Sequence, residues 1–260
     1  MNANAAQTKS GPNYRQILGI SFFVGSAREA IELLRGGGLL VVPAAPALKN
    51  LPEDVAYREA LLEADLAIAD SSLMVMVWNF MQKDSIRRLS GLEYLAELLT
   101  LPEVQRPGGT FWIMASAKSA EKNLMWLAEQ GITVLPEDVY LAPLYGVDIQ
   151  DEELLRRLRE RNPLHIIVTI GGGTQERLGL HLKRNLEWFP AIHCIGAAIA
   201  FLSGDQVQIP KWADRFYLGW LLGCLSEPRR YVPRYWSARK LVSLLLRYRG
   251  VLPLASAKQA

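Results

Sequence analysis

The 260-residue sequence is poor in the features that anchor several large classes of protein. It has two cysteines, Cys194 and Cys224, both in apolar surroundings. Two cannot build a disulfide framework, and they read as reduced thiols of a core. No uninterrupted apolar run approaches the roughly 18 to 20 residues that span a bilayer. Residues 1–14 are polar and contain no apolar signal core, so no secretory leader is read. The expectation is a soluble protein or one that rests on a membrane surface. The three histidines, His165, His181 and His193, share no ligand spacing, and there is no Asp-x-Asp. No metal site and no cofactor is therefore expected. A Gly-Lys-Ser/Thr of the phosphate-loop type is missing, the dinucleotide pattern G-x-G-x-x-G fails at Glu176, and no G-x-S-x-G elbow is present. The formal net charge of +3 is too small to imply nucleic acid.

What is present is a full core. Half of the residues are hydrophobic and 21% are charged, which excludes intrinsic disorder of the whole chain. After a polar lead-in over residues 1–13, apolar strands alternate with helices. Residues 17–24 read as a strand and 26–35 as a helix, with Ser26 as N-cap and Glu29 completing a capping box. Gly36-Gly37-Gly38 breaks that helix. Residues 39–42 read as a strand, 53–63 as a helix, and 66–69 as a strand. Residues 73–81 are apolar on nearly every side, as in a buried helix. Strands are then expected at 110–114, 132–135, 165–170 and 191–195, with helices at 119–130, 151–161 and 174–186. Apolar strands followed by glycine or a small polar residue and then by helices predict an α/β fold: a mainly parallel, Rossmann-like sheet flanked by helices.

Ligands of open α/β sheets bind beyond the carboxyl ends of the strands. Three such ends stand out: Val42-Pro43-Ala44-Ala45-Pro46, Asp70-Ser71-Ser72, and Gly171-Gly172-Gly173-Thr174-Gln175-Glu176. Asp70, set between two apolar runs, has two readings. It caps the helix that starts near Ser71, or it is a general base at the sheet edge. The triple glycine is either a tight turn or a phosphate cradle, in which backbone N–H groups and a helix N-terminus meet an anion.

The tail has a distinct chemistry. Between Arg229 and Arg249 lie Arg229, Arg230, Arg234, Arg239, Lys240, Arg247 and Arg249, with no acidic residue among them. Tyr231, Tyr235, Trp236 and Tyr248 are interleaved. Leu241, Leu244, Leu245 and Tyr248 fall on one helical face, and Lys240, Ser243 and Arg247 on a neighbouring polar one. A basic amphipathic helix flanked by aromatics suits an anionic membrane surface; packing on the body with solvated arginines is the other reading. Confinement of the cations to one tail argues against nucleic acid. The composition changes sharply at Pro228. This divides the chain into the lead-in 1–13, an α/β domain 14–227 and a basic appendage 228–260.

The order of these pieces resembles the WecG/TagA/CpsF glycosyltransferase family over residues 17–248. Ala64-Asp65-Leu66-Ala67-Ile68-Ala69-Asp70 looks like the family's A-D-hydrophobic-P-D segment, and Arg88-Leu89-Ser90-Gly91-Leu92-Glu93 like its R-x-x-G-x-D. Thr169–Glu176 aligns without a gap on G-L-G-x-P-K-Q-E. The segment from Gly196 to Gly204 looks like G-G-A-F-D-F-x-x-G. Pro210-Lys211-Trp212, Leu218-Gly219-Trp220-Leu221 and Glu227-Pro228-Arg229-Arg230 match the P-x-W, L-E-W-L and E-P-x-R stations. The resemblance implies a metal-independent, inverting transferase. It would move a sugar from a UDP-sugar to a polyprenyl-diphosphate-linked acceptor in surface polysaccharide synthesis. The protein would be cytoplasmic, held peripherally on the inner face of the cell membrane through its tail, and a homo-oligomer. It implies Asp70 as catalytic base. Arg88, Gly171, Gly172, Gln175 and Glu176 would bind substrate, and Arg229, Arg230 and Arg234 would meet the diphosphates. The chain departs from the pattern at several polar positions. The T-P-N-x-E loop reads Val42-Pro43-Ala44-Ala45-Pro46, the lysine of P-K-Q-E is Thr174, the aspartate of A-F-D-F is Ala200, and the glutamate of L-E-W is Gly219. These losses imply an alternative: a catalytically degenerate member serving as a binding or scaffold subunit of a glycan-synthesis complex.

Overall fold

A computed structural model describes residues 11–205 and 228–255. The stations at Pro210-Lys211-Trp212, Leu218–Leu221 and Glu227, with Gly219 and Cys224, lie outside the described residues, as does most of the lead-in.

The first half of the chain holds β1 (Tyr14–Ile17), β2 (Ile20–Phe23), α1 (Ala27–Leu33), β3 (Gly38–Val41), α2 (Ala45–Leu48), α3 (Val55–Glu63) and β4 (Leu66–Ile68). It continues with α4 (Ser72–Gln82), α5 (Gly91–Leu98), α6 (Pro102–Gln105), β5 (Thr110–Met114) and α7 (Ala117–Glu129). The second half holds β6 (Val139–Leu141), α8 (Glu152–Arg161), β7 (His165–Val168), α9 (Thr174–Asn185), β8 (Ala191–Cys194), α10 (Ala198–Leu202) and α11 (Pro228–Tyr248). The strands form one eight-stranded sheet in the order β1-β2-β4-β3-β8-β7-β5-β6. Every neighbouring pair is parallel except the edge hairpin β1–β2.

Buried parallel strands carry apolar side chains on both faces, and the period of two assigns them to two cores. Leu39, Val41, Ile166 and Val168 pack on one side with Tyr57, Leu154, Leu178 and Leu241 from α3, α8, α9 and α11. Leu40, Trp112 and Ile167 pack on the other with Ala30, Tyr94, Leu127 and Ile199 from α1, α5, α7 and α10. The result is a three-layer α/β fold in which every parallel strand points its carboxyl end at the same rim.

Four details differ from the sequence reading. Residues 17–24 are not one strand: the chain reverses at Leu18-Gly19, both with positive φ (50° and 76°), as a two-residue hairpin turn requires. Leu18 tolerates this because it is fully buried and its N–H donates to the Arg249 carbonyl at 2.7 Å. Residues 132–135 form no strand. The Ile132 N–H donates to the Leu127 carbonyl and that of Gly131 to Ala128, closing α7 with a Schellman turn. The apolar Ile132 thus serves a helix end, and the strand comes later, at β6. Helix α4 is not buried all round, since Met76 and Phe80 are exposed. Helices α2, α5, α6 and α10 lie where the sequence reading has no element.

The apolar stripe of α11 is directed at the body. Leu241 and Leu245 are fully buried, Leu244 and Tyr248 pack against the same core, and the helix lies against α2 and α4. Lys49 donates to Ser237 Oγ at 2.8 Å, and Arg58 to the Pro253 carbonyl, which pins the chain beyond the helix. Arg239, Lys240, Ser243 and Arg247 face solvent. Among the described residues no helix is long and apolar enough to cross a membrane.

Candidate functional site

The rim beyond the carboxyl ends of β4, β3, β8 and β7 carries Asp70, Arg88 and the glycine turn. At the end of β4, the cap of α4 is Ser71, whose Oγ accepts from the Met74 N–H at 3.2 Å. Asp70 is therefore released from capping. Its Oδ1 accepts from Arg88 Nη2 at 3.1 Å and from the Gly91 N–H at 3.2 Å, while Arg88 Nε donates to the Asp70 carbonyl at 2.5 Å. Oδ2 has no hydrogen-bond partner among the described residues. The Asp70 side chain keeps 23% of its surface exposed and that of Arg88 16%, so the ion pair sits at the edge of solvent. Segment 88–91 is brought there by the Leu89 N–H, which donates to the Ala69 carbonyl, and by Ser90, which caps α5. At Gly91 the packing is close: a Cβ would lie 3.3 Å from both the Ile195 carbonyl and Val42. The acid's anchor thus touches the chain leaving β8 and β3.

The strand β7 runs into the glycine turn. Gly173, with φ +91°, is the N-cap of α9, a conformation L side chains rarely adopt. Glu176 reaches back beneath it, and its Oε2 accepts from the Gly173 N–H at 2.6 Å. Glu176 is fully buried; burial pushes its carboxyl up to about 7, against the pull of the Gly173 N–H, the Gln175 amide and Arg177. Gln175 is also buried and donates to Glu176 Oε1 at 3.3 Å. Its Oε1, like the Tyr57 hydroxyl, is buried without a hydrogen-bond partner among the described residues. Gln175 and Glu176 therefore lie under the turn, whereas Gly171 and Gly172 are exposed above it. A Cβ on either would meet nothing within 4 Å, so the space over these two backbone units is open.

That space is one end of a cleft of about 420 Å³. One wall is Ala44, Pro46 and Ala47, and the polar lining comes from Asn50, Asp54, Thr174 and Arg177. Arg177 was not singled out by the sequence, although it stands four residues beyond the last glycine. Its Nε donates to the Gly173 carbonyl at 3.1 Å, and its Nη1 to the carbonyls of Gly146 and Val147 at 3.1 and 2.8 Å. It clamps the glycine turn to the 146–147 loop and leaves a guanidinium charge on the cleft. Asp54 caps α3 by accepting from the Tyr57 N–H.

Asp70 does not line this cleft. Strands β3 and β8 separate it from the glycine turn, which is three inter-strand spacings, or roughly 14 Å. The two are joined by contact: Asp70 to Gly91, Gly91 to Ile195, and Gly196 to Gln175, whose side-chain tip would lie 3.5 Å from a Cβ at 196. Arg229, Arg230 and Arg234 fall in the first two turns of α11; their side chains lie outside the described set. Among the described residues, His, Cys, Asp and Glu side chains gather into no group of three that could hold a metal ion.

A model of the Glycosyl transferase WecG/TagA/CpsF family matches residues 15–252. Among similar proteins, an N-acetylglucosaminyldiphosphoundecaprenol N-acetyl-beta-D-mannosaminyltransferase of Bacillus spizizenii is 23% identical over 219 residues, covering 81% of this chain and 82% of its own. The Staphylococcus aureus protein of the same name is 21% identical over 223 residues, covering 82% and 85%. With the match spanning both cores, the rim and the helix that closes the fold, the chain belongs to the WecG/TagA/CpsF glycosyltransferase family.

Proposed function

We propose that this protein transfers a sugar from a UDP-sugar to a polyprenyl-diphosphate-linked acceptor at the inner face of the cell membrane, with inversion and without a metal. The observation that carries this reading is the rim itself: an acid held by Arg88 and Gly91 and, three strand spacings along the same rim, an open glycine turn, in a chain of this family. The names of the relatives point to an N-acetylmannosaminyl donor and an undecaprenyl-diphosphate-linked N-acetylglucosamine acceptor as the first pair to test.

In this reading the donor lies along the rim, its diphosphate over the exposed amides of Gly171 and Gly172 and beside Arg177. Asp70 Oδ2 takes the proton of the acceptor hydroxyl while that oxygen bonds to the sugar's anomeric carbon. The bond from that carbon to the diphosphate oxygen breaks, and UDP leaves. One displacement inverts the anomeric centre. Arg88 fixes the carboxylate in the attacking orientation. Gln175 and Glu176 act from beneath, holding the turn in shape. Arg229, Arg230 and Arg234, at the start of the helix that Ser237 ties to α2, supply charge for the diphosphates. Because the leucine stripe of α11 is occupied, membrane contact falls to its exposed Trp236, Arg239, Lys240 and Arg247 and to Met76 and Phe80 of the adjoining α4.

The test is UDP release from a panel of UDP-N-acetylhexosamines with the lipid-linked acceptor in membranes. Asp70→Asn should lower turnover by about 10²-fold or more, with an unchanged melting temperature. A second reading, a binding subunit without turnover, is favoured by Ala44 and Pro46 of the cleft's apolar wall, where the family pattern has polar side chains. It requires nucleotide binding with no UDP release from any donor of the panel.

A further inference from the structure

A second cavity, of about 320 Å³, opens at the opposite end of the sheet, under the amino ends of β3, β7 and β8. Its walls are largely apolar: Ile31, Leu34, Leu101, Leu164 and Phe189. Its floor is the end of a buried polar chain. Tyr94 Oη lies 2.9 Å from His193 Nδ1, and His193 Nε2 lies 3.1 Å from His165 Nδ1.

The direction of this chain follows from satisfying each group. Tyr94 is fully buried, and His193 is its one hydroxyl partner among the described residues. If the hydroxyl only accepted, its hydrogen would be buried unpaired, so it donates. His193 Nδ1 is then the acceptor. Burial holds His193 well below its usual value, so the ring is neutral and carries its one proton on Nε2. That N–H donates to His165 Nδ1. Burial also lowers His165, which therefore bears its proton on Nε2. His165 is 9% exposed and lines the cavity, and its Nε2 has no partner among the described residues yet is not sealed from the surface. The floor of the cavity thus presents a fixed N–H donor, oriented by a relay that begins in the core.

The surrounding charges select what that donor meets. Arg35 and Arg106 stand on the lining with one carboxylate, Glu103, a net charge of +1 for the three, and at the His165 ring Glu103 acts more strongly than Arg106. Arg35 is partly engaged by Glu32, while no ion pair of Arg106 is formed among the described residues. A hydrogen-bond donor on the floor, an Arg106 guanidinium outside any ion pair among the described residues and apolar walls together fit a singly charged acid with a hydrophobic body. We propose that this cavity is a second ligand site, separate from the rim, for a small monocarboxylate with an aromatic or short aliphatic body. Its carboxylate would accept from His165 Nε2 and face Arg106.

The test uses the full chain, with benzoate, octanoate and inorganic phosphate as probes in calorimetric titrations, and nitrogen shifts of the histidine rings. Both His165 and His193 should show the Nε2-protonated form, and benzoate or octanoate should move the His165 Nε2 resonance. Arg106→Ala and Leu164→Glu, both at exposed positions, should each weaken the carboxylate by about tenfold while leaving the fold intact. His165→Phe should abolish the binding, but the Arg106 and Leu164 variants decide the matter should that protein fail to fold. Phosphate binding as tightly as the carboxylates would overturn the apolar-body assignment. So would no saturable binding up to about 10 mM, binding indifferent to both exposed variants, or an Nδ1-protonated His165.

Discussion

Asp70 and Glu176 are both carboxylates at the carboxyl end of the sheet, yet their surroundings suit opposite tasks. Asp70 is held at one oxygen and its side chain stays partly exposed; Glu176 is sealed beneath the glycine turn. The Glu176 carboxyl is raised from its usual 4.5 to about 7, so the folded state holds that proton more tightly than the unfolded chain. Its contribution to stability is therefore complete below pH 4.5 and is lost as pH rises through 7, by up to about 3 kcal/mol. Glu176→Gln keeps an oxygen for the Gly173 N–H and removes the titration. Denaturant unfolding at pH 5 and pH 8 should show the native protein losing stability across that interval relative to the variant; parallel pH dependences would mean that Glu176 is already ionised at pH 5. The neighbouring glycines separate structure from binding. Gly172→Ala meets open space and should leave stability within about 0.5 kcal/mol while raising the KM for the donor. Gly173→Ala must adopt a positive φ and should cost about 1–2 kcal/mol in unfolding experiments.

At the level of elements, α11 has two faces with separable roles. Leu245 is fully buried against the core, so Leu245→Ala should destabilise the protein by about 2–5 kcal/mol in chemical denaturation. Lys240 is exposed, so Lys240→Ala should leave stability unchanged and weaken binding to anionic vesicles, an effect that fades as salt is raised. Equal destabilisation by both would contradict the packing of the leucine stripe. The spacing of Leu241, Leu244, Leu245 and Tyr248 was readable as one apolar face, but periodicity states that a face is buried and not what buries it. The same limit explains the other departures. Ile132 is as apolar as a strand residue while it completes a Schellman turn, and Leu18 sits at a hairpin reversal that only the Arg249 carbonyl makes intelligible. The parallel strands at 110–114, 165–168 and 191–194 were legible because burial on both faces leaves no other composition for them. Within the site, Asp70 and the glycines carried a signal at strand ends, and Arg88 one through the family's R-x-x-G-x-D segment. Arg177 and Asn50 carried none, because their place on the cleft depends on elements far apart in sequence.

On the scale of the whole molecule, the parallel sheet gives the protein two unlike ends. At one end lie Asp70, Arg88 and the glycine turn; at the other, the cavity floored by His165. Because β3 and β7 are fixed in register through β8, the loops leaving them form one wall of the cleft only if the central strands stay paired. The cleft combines residues 44–50, 54–57 and 171–177, three segments with no sequence continuity. A ligand that truly occupies it must order all three together, since each supplies part of one lining. Amide hydrogen exchange with and without UDP tests this directly. The paired amides of β3, β7 and β8 should exchange slowest in both states, as central strands open only with the whole fold. UDP should then slow exchange in the three cleft segments at once and leave the loop at 163–164, beside the opposite cavity, unchanged. Protection confined to residues 171–177 would reduce the site to the glycine turn alone, and protection at 163–164 would place the nucleotide at the wrong end of the sheet.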